Sequence, residues 1–366
     1  MKWTFVFVTF LGLQTLTTAA YAQLGEKFDL FSGARSLGMG DAGIAVVNDE
    51  TSLLVNPAGL GKLRNFYGTI LDPELEMSSN AYGFNSANPI SAPTNIEGVK
   101  TSLVEKPDAY YYAKGQIFPS FVARNFGIGI FAKQMLAARG NEDGTLSVKQ
   151  QDDLALVMGV NFRFFDGRVK LGLTGKAISR IEVDEVALDS TLDLSNASLA
   201  AAGQLREGVG VGYDMGLNLT APWQMLPTLS LVARDMGGTS FDANSGLRGP
   251  ETSERPLALK QDIDVAVALF PIHNNFIRSS WTVEYRNLLT NQDDTSKTRY
   301  IHAGIEVNLA DRFFLRAGYN QGYWTAGFES ALENFQFQMA TYGEEVGVGD
   351  AKLEDRRYLA KVGFRF

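Results

Sequence analysis

The chain has 366 residues, 45% hydrophobic, 20% charged and 11% aromatic, a mixture too apolar for a disordered tail. Its formal charge of −8 argues against a nucleic-acid partner, and zero cysteines exclude disulfide scaffolds, thiol catalysis and cysteine-held zinc. Only His273 and His302 are available for imidazole chemistry, so no catalytic residue, metal or cofactor is assigned.

Residues 1–22 read as a secretory signal peptide. Lys2 is the positive start, Trp3 to Leu16 the apolar stretch, and Ala20-Tyr21-Ala22 the cleavage site. No later segment has 18 uncharged apolar residues in a row, so no helix is expected to span a bilayer. Gly38 to Gly43 satisfies G-x-G-x-x-G, but no apolar strand precedes it and no βαβ unit follows, so dinucleotide binding is not expected.

From about residue 115 the dominant period is two. Val209, Val211, Tyr213, Met215 and Leu217 share one face, while Gly210, Gly212, Asp214 and Gly216 share the other. The same alternation sets Asp262, Asp264, Arg278, Glu284, Arg286, His302 and Arg316 on a polar face opposite rows of Val, Ile, Leu, Trp and Tyr. A soluble sandwich and a membrane barrel with a wet lumen both alternate this way. Strands of about ten residues or more, together with short connections on one side and long ones on the other, favour the barrel. Alternating segments lie near 115–124, 126–138, 150–165, 168–183, 208–220, 225–236, 259–271, 275–289, 299–309, 311–320, 322–330, 333–344 and 355–366, with one more within 66–86. The predicted fold is therefore all-β, a transmembrane antiparallel β-barrel of about fourteen strands.

The expected long loops are 139–150, 184–207, 237–258, 290–298 and 345–354, with a short helix within 192–205. Trp223, Tyr300, Phe313, Tyr319, Tyr323, Trp324, Tyr358 and the run Tyr110–Tyr112 are expected in an interfacial aromatic girdle. Asp262 and Asp264 could form a carboxylate pair for acid–base work, but charge balance with Arg278, Arg286 and Arg316 is the simpler account.

Two stretches carry a family resemblance. The last strand places Tyr358, Ala360, Val362, Phe364 and Phe366 on one face and stops on an aromatic, which resembles the C-terminal signal read by the bacterial barrel-insertion machinery. Near the front, Ala34-Arg35, Gly38-Met39-Gly40, Ala42, Asp49 and Asn56-Pro57-Ala58-Gly59-Leu60 resemble the opening of the FadL/TodX superfamily of outer-membrane transporters, including its PorV-like members. That resemblance implies residues 23–64 as a hatch, or plug, inside a barrel formed by 65–366. Gly38, Gly40, Leu53, Leu54, Asn56, Pro57, Ala58 and Leu60 are then the binding and gating residues. It implies passive uptake of a hydrophobic or amphipathic small-molecule ligand, of long-chain fatty acid or aromatic hydrocarbon type, through a bacterial outer membrane whose lipid surrounds the barrel. The PorV-like branch implies a different role, docking a secretion-system protein partner, and the sequence leaves both open.

Overall fold

The computed structural model describes residues 24–366, apart from 65, 85–99, 101–102, 104–108, 142, 190, 192–194, 244–246, 292–296 and 348–350. The expected leader, residues 1–22, lies outside the described residues. The strands are β1 (Tyr67–Leu71), β2 (Glu74–Ser78), β3 (Tyr110–Ile117), β4 (Ser120–Ala123), β5 (Phe126–Gly140), β6 (Thr145–Phe164), β7 (Val169–Asp189), β8 (Arg206–Thr220) and β9 (Thr228–Arg234). They continue as β10 (Phe241–Ala243), β11 (Asp262–Leu269), β12 (Ile277–Tyr285), β13 (Ile301–Leu309), β14 (Phe313–Asn320), β15 (Tyr323–Ala331), β16 (Phe335–Glu345) and β17 (Glu354–Arg365).

All pairings are antiparallel, and β1 and β2 both pair with β17, which closes the sheet on itself. β1 and β2 are one wall strand interrupted at Asp72-Pro73. β3 and β4 are another, interrupted at Phe118-Pro119, because proline cannot donate to the ladder. The two breaks lie side by side, and the Phe118 amide donates to the Asp72 carboxylate across them at 2.6 Å. The short β10 pairs with β8 outside the run of wall strands. What closes is the expected fourteen-stranded barrel.

The alternation has the predicted sense. Along β6, Leu154, Leu156, Met158, Val160, Phe162 and Phe164 are exposed outward, while Asp153, Ala155, Val157 and Asn161 are buried inward. An apolar outer face over a polar interior is what hydrocarbon outside and a lumen inside require. Tyr358, Phe364 and Phe366 of the last strand lie on the outer face, with Val362 beside them half-buried.

Several expectations need correction. Tyr110, Tyr111 and Tyr112 are buried and belong to no girdle. Tyr110 and Tyr112 pack inward with Leu24 and Met135, and Tyr111 lies in an apolar cluster with Leu136 and Leu103. Tyr300 is buried too, and Tyr323 turns inward to donate to Glu345 at 3.0 Å. Trp223, Phe313, Tyr319, Trp324 and Tyr358 are exposed as expected. Residues 139–150 are mostly strand, since β5 and β6 extend to a turn at 141–144.

β6 and β7 have 20 and 21 residues, roughly ten more than a crossing needs, whereas β13 and β14 have 9 and 8. Beyond the apolar belt, the outer faces of β5 to β7 are covered by the chain itself. Leu136, Val148, Val183 and Leu188 pack with Ala81, Leu103 and Leu199. Leu199 comes from the expected short helix, Asn196–Ala201, whose Ser195 cap accepts from the Ser198 amide.

Candidate functional site

Residues 24–64 bond to lumen-facing side chains around most of the barrel circumference, and the residues of the two front motifs make the anchoring contacts. Arg35, in the short helix Ala34–Gly38, forms a two-pronged pair with Glu306 on β13 at 2.8 and 3.0 Å, and a further bond to Asp49 at 2.8 Å. Glu306 also accepts from Arg316 on β14 at 2.7 Å. Asp49 caps the next turn through the Thr51 amide, and the Arg35 guanidinium and Thr51 hydroxyl hold its carboxyl at about 2 against the upward push of burial.

Asn56 precedes Pro57 and is fully extended, as a residue before proline must be. Its side-chain oxygen accepts from the Ala58 amide at 2.9 Å, capping the 3₁₀ turn Pro57–Lys62. Its amide nitrogen donates to the Ile44 carbonyl at 2.7 Å and to Ser230 on β9 at 2.9 Å. One asparagine therefore ties two turns of the inner segment to the wall.

Glycines of the wall make room for this. A Cβ on Gly172 of β7 would lie 2.1 Å from Pro57, and on Gly159 of β6 it would meet Leu53 at 2.6 Å. On the opposite wall, a Cβ on Gly304 of β13 would lie 2.2 Å from the Met39 carbonyl oxygen, and on Gly318 of β14 it would lie 2.4 Å from the Gly40 nitrogen. Gly40 itself has φ +70°, a conformation that favours glycine. Thr325 on β15 clasps this turn, accepting from the Gly40 amide at 2.9 Å and donating to the Gly38 carbonyl at 3.1 Å.

The lumen-facing residues expected from the alternation take separate parts. Arg286 pairs with Asp41 of the inner segment and with Glu284 at 2.8 Å. Glu284 accepts from the Ile44 amide at 3.1 Å, and His302 Nδ1 donates to the Gly40 carbonyl at 2.9 Å. Asp264 is taken by Arg234 at 2.6 Å, and Asp262 accepts from the Leu289 amide and the Thr290 hydroxyl, so the two do not form an acid–base pair. Arg278 does not join the network. It lies at the turn end and pairs with Asp311 at 2.8 Å, with both side chains well exposed. Leu53 and Leu60, expected as binding and gating residues, are fully buried in the central apolar cluster, with Leu54 and Val55 beside them.

The strongest anchor escaped the sequence reading. Arg357 of β17 is 1% exposed, with its guanidinium 3.5 Å from the Tyr112 ring centroid. It holds Glu26 at 2.6 and 2.8 Å and Asp355 at 2.8 Å. The odd-numbered row opposite Tyr358 was the available signal.

Two cavities flank the inner segment in the lumen. One, of about 70 Å³ at the long-loop end, touches Leu37 and Asp41, and has Phe28, Tyr112, Arg286 and Arg357 around it. The other, of about 30 Å³ toward the short-turn end, touches Ser36 and Met39, with Phe31, Val47, Lys361 and Arg365 around it. The turn Ser36–Asp41 separates them. Both are far below the roughly 300–1,000 Å³ of an open ligand site, so neither holds a drug-sized molecule as it stands.

A closed antiparallel barrel with an apolar outer belt and a lumen occupied by its own front segment is the architecture of an outer-membrane barrel. Its fold matches the CymD monoaromatic hydrocarbon channel (TM-score 0.52, 10% identity, covering 91% of this chain and 96% of that one). It also matches a deltaS2 mutant of the TodX monoaromatic hydrocarbon channel (0.54, 14%, 92% and 99%) and a Pseudomonas aeruginosa FadL homologue (0.50, 11%, 93% and 98%). At these identities the likeness is one of fold, and it extends the FadL/TodX resemblance from the motifs to the barrel. No protein-family model and no curated protein matches the sequence.

Proposed function

We propose that this barrel admits hydrophobic or amphipathic small molecules passively through the outer membrane, with residues 23–64 as its hatch. The observation that carries this reading is the pair of cavities at opposite ends of the lumen, parted by the single turn Ser36–Asp41. That turn is held by hydrogen bonds and ion pairs to Thr325, His302 and Arg286. Such contacts exchange with water at modest net cost, so the turn can shift while the wall stays closed. The monoaromatic hydrocarbon channels of like fold support the ligand class. Transfer of apolar surface out of water supplies the drive, and no energy coupling is needed.

The test is uptake of radiolabelled toluene and of a long-chain fatty acid by cells with and without the protein. Faster uptake with the protein supports the reading. Equal uptake, with a protein partner co-purifying, replaces it by the docking role.

A further inference from the structure

Positive charge gathers without counter-charge at the short-turn end of the lumen. Arg163 on β6 and Lys170 on β7 are directly opposed partners, a placement in which like charges destabilise a sheet. Both stand in the lumen-facing register: Lys170 is 8% exposed, and Arg163, at the turn end of its strand, is exposed at the lumen mouth and lies over Gly167. Lys170 runs beneath the hatch, where a Cβ on Gly61 would meet its Cδ at 3.0 Å. Lys62 completes the group. Its ammonium donates to the Ala45 carbonyl at 2.5 Å, and that of Lys170 to the Gly167 carbonyl at 2.5 Å. An ammonium has three donors, so each keeps two more.

Six other arginines of the lumen are matched. Arg35, Arg180, Arg234, Arg286, Arg316 and Arg357 all hold carboxylates. Among the described residues, Lys62, Lys170, Arg163 and the neighbouring Arg168 hold none, and Asp166 on the intervening turn is exposed and unpaired. Burial, with Lys170 and Arg35 nearby, pushes the Lys62 ammonium down to about 7, as expected of an uncompensated cluster. A cationic belt for bilayer headgroups would face outward; Lys170 is on the inward row and Lys62 on the inner segment.

We propose that Lys62, Lys170 and Arg163 form an exit site for the anionic headgroup of an amphiphile, a carboxylate or a phosphate, as it leaves the hatch. The Phe270 ring, 5.8 Å from the Lys62 ammonium, offers the adjoining tail an apolar surface. This rests on the uptake reading above and deepens it, because it selects charged amphiphiles over neutral hydrocarbons.

Equilibrium binding of radiolabelled decanoate and decanol to the mature barrel in zwitterionic nanodiscs, corrected for empty discs, tests it. The wild type should favour decanoate by at least about fivefold, as a partly shielded ion pair would. That ratio should fall toward one in 1 M salt and in the R163Q/K170Q variant, and persist in K170R, which keeps the charge. Heat-modifiable migration on gels confirms that each variant forms the barrel. A ratio unaltered in R163Q/K170Q, or near one in the wild type, overturns the exit site and leaves uptake standing. Absence of binding by either ligand removes the uptake reading, and the site with it.

Discussion

A Cβ placed on Gly216 of β8 would stand 2.0 Å from the side-chain oxygen of Asn56, so the wall residue is glycine because the motif asparagine lies against it. Gly216→Val should push Asn56 and the following turn off their seat without unfolding the barrel, since the outer face of β8 is untouched. Cells carrying it should become several-fold more permeable to a bulky hydrophilic antibiotic, with unchanged heat-modifiable migration of the protein. Unchanged permeability would mean that Asn56 does not seal the lumen.

Thr325 holds the partition between the two cavities through one accepted and one donated hydrogen bond. Thr325→Val keeps the shape and removes both, while the Gly40 amide keeps the Leu37 carbonyl at 3.2 Å, so the cost should be about 0.5–1.5 kcal/mol. Hydrocarbon uptake should rise in this variant while barrel stability changes little; a slower rate would show that the clasp assists passage.

Removing Arg357 strands Glu26 and Asp355 in a buried site. Arg357→Met should lower stability by about 3–5 kcal/mol, measured by thermal unfolding in detergent. Glu26→Gln should cost less, because it leaves the Asp355 pair intact, and its main effect should be faster proteolysis near residue 24.

The outward and inward rows of β6 should respond differently to charge. Leu156 is 47% exposed on the outer face. Leu156→Arg should destabilise the assembled barrel by about 2–4 kcal/mol, read from folding titrations into lipid vesicles. Phe164→Arg, at the strand end, should cost roughly 1 kcal/mol or less.

Lys62 faces Lys170 from β7, Arg35 of the inner segment, the Ala45 carbonyl and the Phe270 ring. Its folded value of about 7 lies below the unfolded 10.5, so between those values the unfolded chain holds the extra proton. Stability therefore rises with pH across that window and carries the full penalty below it. Decanoate binding should weaken as pH rises from 6 to 8.5 while Lys62 discharges, and Lys62→Arg should flatten that profile.

The barrel was legible because its chemistry repeats every second residue. The rows through Asp264, Glu284, His302 and Arg316 could be assigned to the lumen before any coordinates. What the rows concealed was the purpose of their glycines: Gly216 looked like the small half of an alternation, and only the packed inner segment shows the close approach that it, Gly172, Gly304 and Gly318 allow. Pro73 and Pro119 marked the two interrupted wall strands and could have been read as breaks. Tyr110 and Tyr112 misled because aromatics suit a bilayer interface and a cation-bearing interior equally well, and Arg357, almost 250 residues away in sequence, decides between them, while Tyr111 is covered by Leu103 and Leu136.

The contacts of residues 24–64 are divided along the chain: Pro57–Lys62 lies against β6 to β8, whereas Arg35 waits for β13, Gly40 for β15, and Glu26 and Glu50 for β17. The front part of that segment therefore finds its ion-pair partners only when the final hairpins arrive, so closing the seam against β1 and seating that part coincide. A chain truncated before its last strand would be left with both an open side and Glu26 and Glu50 without their arginines.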